Sequence, residues 1–193
     1  MIEYIKGRLI ELTPTFLIIE SAGIGYFVNI SLTSYSQLEG NREPQLLIHE
    51  IIREDSHLLF GFAGEYERQI FRLLISVSGV GANTARMMLS SLDPKGIESA
   101  ILESDVNSLQ GIKGIGLKTA QRIIVDLKDK VGKSAVAGEI FDLPDNTKRY
   151  EAFTALVMLG FPKNSAGKVL DKLLKEDRDL AVEMLIKKAL KIL

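Results

Sequence analysis

The chain of 193 residues contains no cysteine, and its only histidines are His49 and His57. The lack of cysteine excludes disulfides, thiolate metal sites and cysteine nucleophiles, and it fits a reducing compartment. Two histidines without cysteines beside them make no convincing metal site, and no nucleophile elbow is present for a Ser-His-Asp triad. We therefore expect no metal, no cofactor and no catalytic activity in the isolated chain.

Long apolar runs and targeting sequences are missing too. No stretch approaches the roughly 20 apolar residues of a membrane helix, and no signal or transit peptide is visible. We expect a cytoplasmic protein without membrane contact. An excess of basic residues is also absent, because 24 Lys and Arg residues meet 25 Asp and Glu residues to give a net charge of −1.

The sequence does contain an internal repeat. GVGANTARMMLSSL, residues 79–92, aligns without gaps on GIGLKTAQRIIVDL, residues 114–127, which lies 35 residues later. Each copy follows an amphipathic stretch and runs into further apolar residues at helical spacing. The repeat therefore predicts two helical hairpins, each built around a glycine-apolar-glycine turn.

A nucleotide-binding loop is a weaker interpretation of the second copy. Gly111 and Gly116 have P-loop spacing, but Leu117 precedes Lys118 and Thr119, which rotates the lysine by about 100° on a helix. The residues before Gly111 also have helical spacing, whereas a P-loop follows a strand.

The glycine turns predict a phosphate site. Gly79, Gly81, Gly114 and Gly116 permit tight reversals, while Val80 and Ile115 tuck inward between the helices. Unpaired N–H groups at the start of the second helix, together with its dipole, suit an anion. Lys118 and Arg122 are four residues apart on that helix and add positive charge. Ordinary glycine turns explain one such copy well, but two matching copies favour phosphate binding.

Duplication also predicts symmetry. A pair of hairpins related by an approximate twofold axis matches the two strands across a DNA minor groove, which predicts binding that is sequence-independent and sensitive to salt. The charge distribution agrees weakly, because residues 1–63, 64–133 and 134–193 carry net charges of −4, +2 and +1.

The chain divides into four regions by pattern. Residues 1–63 contain five apolar runs separated by turn formers, with SYSQL as a possible helical turn, which is typical of a small barrel of the OB type. Residues 64–133 have helical periodicity. Residues 134–147 mix small residues with Asp, Pro and Asn and are interpreted as a flexible linker. Residues 148–193 predict three short helices, at about 148–159, 163–175 and 178–192.

Five segments together resemble the RuvA family of bacterial proteins that bind Holliday junctions. They are MIEYIKGRLIEL, REDSHLLFGF, the two glycine turns and EAFTALVMLGF. The resemblance implies a multidomain α+β protein with an OB-fold β-barrel, a tandem helix-hairpin-helix domain and a C-terminal three-helix, UBA-like domain. It further implies a homotetramer or octamer that acts with the hexameric RuvB ATPase, and with the RuvC resolvase in the same complex, during recombination, DNA repair and the SOS response.

The resemblance also assigns residues. Many relatives place a lysine where this chain has Asn83, and a basic residue where it has Leu117; Lys113 compensates for these changes. Asn83, Lys113 and Thr119 thus complete the candidate DNA-binding set formed with the turn residues, Lys118 and Arg122. Glu54 and Asp55, which the sequence alone presents as an ordinary solvated turn, match the family's acidic pin.

The apolar residues of the last region, residues 148–193, serve both a core and a partner surface. Most form a small core, but a domain of this size leaves some exposed, and the resemblance implies that these bind RuvB. Our candidate contacts are Leu156, Leu159 and Phe161. An alternative function of another class is a helix-hairpin-helix DNA repair enzyme of the glycosylase or ligase type, for which no catalytic aspartate or lysine stands in a supported context.

Overall fold

A computed structural model describes residues 1–139, 144–177 and 180–193, and the chain divides into two compact units, 1–132 and 133–193. The strands are β1 (Tyr4–Lys6), β2 (Arg8–Leu12), β3 (Phe16–Ser21), β4 (Ile24–Asn29), β5 (Gln45–Ile52) and β6 (His57–Phe62). The helices are α1 (Leu32–Leu38), α2 (Glu65–Ile75), α3 (Ala82–Ser91), α4 (Pro94–Leu102), α5 (Val106–Gln110), α6 (Leu117–Glu139), α7 (Pro144–Met158), α8 (Lys163–Glu176) and α9 (Val182–Ala189). Among the described residues, no helix combines the length and apolar character needed to cross a membrane.

The six strands form one strongly curved sheet in the order β1-β5-β6-β4-β3-β2. Its two outer strands, β1 and β2, are separated in the chain by Gly7 alone, so the sheet has to curl until its edges meet. A Cβ at Gly7 would lie 2.0 Å from the carbonyl oxygen of Glu20, which explains why glycine occupies this corner. The five strands expected from the sequence are therefore six, because Gly7 divides the first run, and the OB-fold barrel is confirmed.

The interior of the barrel has its own hydrophobic core, and one end of the barrel shares a second core with the following helices. Phe60 and Phe62 at the end of the barrel pack with Phe71 of α2, at ring-centroid distances of 5.2 and 4.9 Å. Residues 1–132 are consequently one compact unit, and the expected domain boundary after residue 63 stays a prediction.

A buried polar network also joins α1 of the barrel to α2. Ser31 and Ser34 both donate from their hydroxyls to the carboxylate of Glu67, which is 3% exposed, and the Ser34 bond is 2.6 Å long. The Ser34 hydroxyl in turn accepts the N–H of Ala63 at 2.9 Å. Burial raises the pKa of Glu67, and the two serine hydrogen bonds offset part of that rise.

The second unit contains the three helices that the periodicity predicts. A buried cluster that includes Ala152, Leu156 and Leu170 forms its core. Helix α7 ends at Met158 and is closed by a Schellman motif, in which Gly160 has φ +96 and the Phe161 N–H donates to the Leu156 carbonyl at 3.1 Å.

The predicted linker overlaps two helices. Helix α6 continues to Glu139 and α7 begins at Pro144, so helix covers parts of the region 134–147 that we expected to lack it. Residues 140–143 lie outside the described residues. The flexibility of this segment stays a prediction.

Candidate nucleic-acid interface

The two glycine turns have the same backbone conformation. Gly79 has φ +93 and Gly114 has φ +92, a left-handed region that L side chains rarely adopt. Each glycine is followed by an apolar residue that packs inward, since Val80 is 5% exposed and Ile115 is 4% exposed. The N–H of Val80 donates to Val77 and that of Ile115 donates to Ile112, each at 3.0 Å. The sequence repeat is therefore a repeat of structure.

Each turn opens directly into a helix whose first N–H groups have no partner. The first helical hydrogen bonds run from Ala85 to the Gly81 carbonyl and from Ala120 to the Gly116 carbonyl, each at 2.9 Å. Within the described residues, the N–H groups of residues 81–84 and 116–119 find no acceptor, backbone or side chain. Four free donors at a helix start, with the positive end of the helix dipole behind them, attract an anion.

The glycines before these helices leave space open to solvent. Gly81 has φ −86, which any residue adopts, and a Cβ at Gly81 or Gly116 would meet nothing within 4 Å. Neither backbone conformation nor internal packing therefore requires glycine at Gly81. The missing side chain leaves room for a partner that approaches the N–H groups closely. Both turns are exposed, as a phosphate site needs.

The first turns of α3 and α6 also lack acidic residues. Helix α2, which likewise starts after a glycine without a side-chain cap, carries Glu65 and Glu67 in its first turn. Acidic side chains in the first turn of α2 disfavour a phosphate there, whereas the starts of α3 and α6 carry none.

The predicted cations occupy different positions around the turns. Lys113 and Lys118 are exposed beside the second turn and have no ion-pair partner among the described residues. Arg122, expected at the same turn, instead donates from Nη1 to the carbonyl of Ser78 at 3.2 Å, next to the first turn. Asn83 is exposed and uncharged, and Thr119 is half-buried in the first turn of α6.

The acidic segment lies at the tip of the β5–β6 hairpin. The Arg53 N–H donates to the Ser56 carbonyl at 2.8 Å and closes the turn, and both Glu54 and Asp55 are exposed. The turn brings two carboxylates into solvent at the tip of the hairpin, and their role as an acidic pin stays a prediction.

An unpredicted contact anchors the base of that hairpin. The Glu50 carboxylate lies 2.7 Å from Nε2 of His57 and accepts the N–H of Ile2 at 3.2 Å. The hydrogen bond from His57 is the main cause that lowers the pKa of Glu50, and burial acts in the opposite direction. Only the position of the two residues near the predicted turn hinted at this pair.

Both histidines contact other side chains of the protein. His49 lies against the ring of Phe71, with centroids 5.4 Å apart, and burial lowers its pKa. Across residues 1–139, 144–177 and 180–193, no three His, Asp or Glu side chains are grouped so that they could hold a metal ion.

One of the three predicted partner contacts is wrong. Leu156 is fully buried in the core of the second unit and cannot reach a partner while that unit stays folded. Leu159 is 61% exposed, and Phe161 is half-buried against the same core. Helical spacing marked all three as apolar but did not show which way each side chain points at the end of α7.

Comparisons with known proteins cover nearly the whole chain. The family model described as RuvA N terminal domain matches residues 1–61, SAM-like Helix-hairpin-helix tandem matches residues 71–129, and RuvA, C-terminal domain matches residues 147–193.

Full-length relatives agree with these matches. The protein of Christiangramia forsetii is 53% identical over 99% of both chains, and that of Flavobacterium psychrophilum is 51% identical over 99% of both. The protein of Parabacteroides distasonis is 52% identical over the whole of both chains. All three are named Holliday junction branch migration complex subunit RuvA. Barrel, duplicated glycine turns and C-terminal helices thus occur here in the order of those relatives, and the chain belongs to the RuvA family.

Proposed function

We propose that this protein binds Holliday junction DNA without reading its sequence, holds the junction open, and serves as the non-catalytic subunit of a branch migration complex. The observation that carries the proposal is the pair of exposed glycine turns, each presenting four N–H groups without an internal acceptor. Backbone amides contact phosphates of any sequence, so they position a duplex and do not select its bases. The names of the relatives favour this function over a helix-hairpin-helix repair enzyme.

The acidic hairpin supplies selectivity for the junction. Glu54 and Asp55 repel phosphates, so a continuous duplex lying across them is disfavoured, whereas a crossover with separated strands leaves room for them. The same repulsion keeps the strands apart while they exchange partners. Binding is therefore weaker than the cations alone would give, and the bound DNA stays mobile.

Assembly completes the proposed site. A net charge of −1 gives each subunit little long-range attraction for DNA, so several copies acting together are needed for tight binding. We infer a homotetramer, with one subunit for each arm, which two facing tetramers extend to an octamer. The RuvB ATPase docks on the C-terminal unit through Leu159 and Phe161, and the RuvC resolvase acts in the same complex in the bacterial cytoplasm.

A competition gel shift tests the proposal. Labelled four-way junction with heterologous arms is bound by the protein and challenged with unlabelled junction or with linear duplex of the same total length. We expect the junction to compete far better than the duplex, and the chain alone to hydrolyse no ATP. Equal competition by the duplex, or ATP turnover by the chain alone, would contradict the proposed function.

A further inference from the structure

The two copies of the glycine turn differ in charge. At three aligned positions the second copy is basic and the first is neutral: Lys113, Lys118 and Arg122 correspond to Ser78, Asn83 and Met87. Between residues 76 and 91 the sequence contains one basic residue, Arg86. The first turn therefore depends on Arg86, or on a cation from elsewhere, for any positive side chain.

Arg86 bonds to two residues of the barrel through Nη1. Its Nη1 donates to the Thr15 carbonyl at 2.8 Å and to Oδ1 of Asn29 at 3.2 Å. These bonds direct the guanidinium towards Thr15, which precedes β3, and towards Asn29 at the end of β4. Arg86 thus joins α3 to the barrel.

Arg122 reaches the first turn from the second hairpin. Its Nη1 donates to the carbonyl of Ser78, the residue immediately before Gly79, at 3.2 Å, and its side chain is exposed. A guanidinium has five N–H donors, so one bond to a carbonyl leaves four. A planar group held in this way is well suited to donate to a phosphate in a two-pronged manner.

We propose that Arg122 serves the first turn and not its own, so that the two turns hold the two strands of a duplex with unequal strength. The second turn combines its amides with Lys113 and Lys118, whereas the first combines its amides with the one cation supplied by Arg122. The strand at the first turn is therefore the more weakly held and the first to slide when the duplex moves. This inference rests on the proposed function, because it assumes that the turns bind phosphates.

Phosphate-ethylation interference on a junction with heterologous arms tests the inequality strand by strand. In the unaltered protein we expect strong interference on one strand of each arm and weak interference on the other. Arg122→Gln should abolish the weak set and keep the strong one, and Lys118→Gln should weaken the strong set. Equal loss on both strands in Arg122→Gln would overturn the proposal, provided that urea unfolding shows an intact fold.

Asn83→Lys tests it in the opposite direction, since it gives the first turn the lysine that the second has. We expect the two strands to become equal, and the slope of log Kd against log salt to steepen by about 0.9 for each new phosphate contact. Ser91→Lys is the matched control, because it adds the same charge about 12 Å away at the other end of α3. An unchanged slope in Asn83→Lys, or an equal change in the control, would overturn the proposal. Failure of the proposed function would give a different result, namely no preference of the unaltered protein for the junction over linear duplex. The two failures can be distinguished because the interference experiment detects phosphate contacts on whichever DNA is bound.

Discussion

Gly81 and Gly116 occupy the same place in the two hairpins, each immediately before a helix, and a Cβ built on either would meet no atom within 4 Å. The protein's own packing thus requires glycine at neither position, and each of the two stands at the start of a helix with free N–H groups. Glycine caps a helix less well than serine does, so these positions lower the stability of the fold while they leave the N–H groups open to a partner.

Serine at these two positions should therefore stabilise the fold and weaken DNA binding. In Gly81→Ser the hydroxyl caps the first turn of α3, where φ −86 and ψ 166 suit a capping serine, and it occupies N–H groups that a phosphate would use. We expect a gain of a few tenths of a kcal/mol in the free energy of unfolding and a loss of about tenfold in DNA affinity, on the order of one charge-assisted hydrogen bond.

Urea unfolding and a junction-binding titration on the same sample measure both effects. Gly79→Ala is a useful comparison, because φ +93 makes any L side chain strained there and should cost about 1 kcal/mol of stability. Serine variants that bind the junction as tightly as the unaltered protein would show that the N–H groups do not hold phosphate.

Neutralising the acidic hairpin should strengthen DNA binding and reduce its selectivity. Glu54→Gln with Asp55→Asn removes repulsion of about 1 kcal/mol for each charge pair near 4 Å in water, or about fivefold in Kd. Because both side chains are exposed, the fold should be unaffected. Parallel titrations of junction and linear duplex at low salt measure the change. If the variant prefers the junction over linear duplex as strongly as the unaltered protein does, the two residues belong to an ordinary solvated turn.

Glu67 should make the first unit less stable as the pH rises. Burial raises the pKa of this carboxyl above its ordinary value of 4.5, so the folded state holds the proton more tightly than the unfolded state does. The stabilisation is complete below pH 4.5 and is lost as the pH rises through the raised folded pKa. Glu67→Gln cannot ionise and still has an oxygen that accepts from Ser31 or Ser34.

We therefore expect Glu67→Gln to gain stability relative to the unaltered protein at neutral pH and to lose that advantage on acidification. Urea unfolding at a series of pH values gives the difference directly. A difference that stays constant with pH would mean that the pKa of Glu67 is the same in the folded and unfolded states, so that the serine hydrogen bonds cancel the effect of burial.

Leu156 and Leu159 should separate stability from partner binding. Leu156→Ala leaves a cavity in a small core and should cost about 2–5 kcal/mol, enough to unfold the C-terminal unit. Leu159→Ala, at a side chain that is 61% exposed, should leave the unfolding midpoint unchanged and weaken binding of the RuvB ATPase. Thermal unfolding and titration with the purified ATPase distinguish the two. If Leu159→Ala binds the ATPase as tightly as the unaltered protein does, the contact lies on another surface of the C-terminal unit.

The sequence predicted most clearly the features that repeat or alternate. The duplicated pattern placed both turns, and the inward direction of Val80 and Ile115 followed from the need to cover an apolar side chain. The direction of a side chain at the end of a helix was harder to predict. Leu156 and Leu159 are both apolar and both lie near the end of α7, where the Schellman closure at Gly160 stops the helix. In the structure Leu156 is buried and Leu159 is exposed.

Contacts between segments that are distant in the sequence could not be predicted from the periodicity of apolar residues. The bond from Arg122 to Ser78 spans 44 positions, and its donor was predicted at the other turn because helical spacing from Lys118 was the available guide. The need for glycine at Gly7 could not be predicted for a similar reason. The space there is restricted by the carbonyl of Glu20, which belongs to another strand.

Backbone amide chemical shifts test the central claim most directly. In a deuterated, ¹⁵N-labelled sample titrated with four-way junction DNA, the N–H protons of residues 81–84 and 116–119 should move downfield as they donate to phosphate. Those of Glu65 and Tyr66, at the start of α2, should stay in place because that helix carries its own carboxylates. Saturable junction binding that leaves the resonances of both glycine turns unmoved would contradict the account.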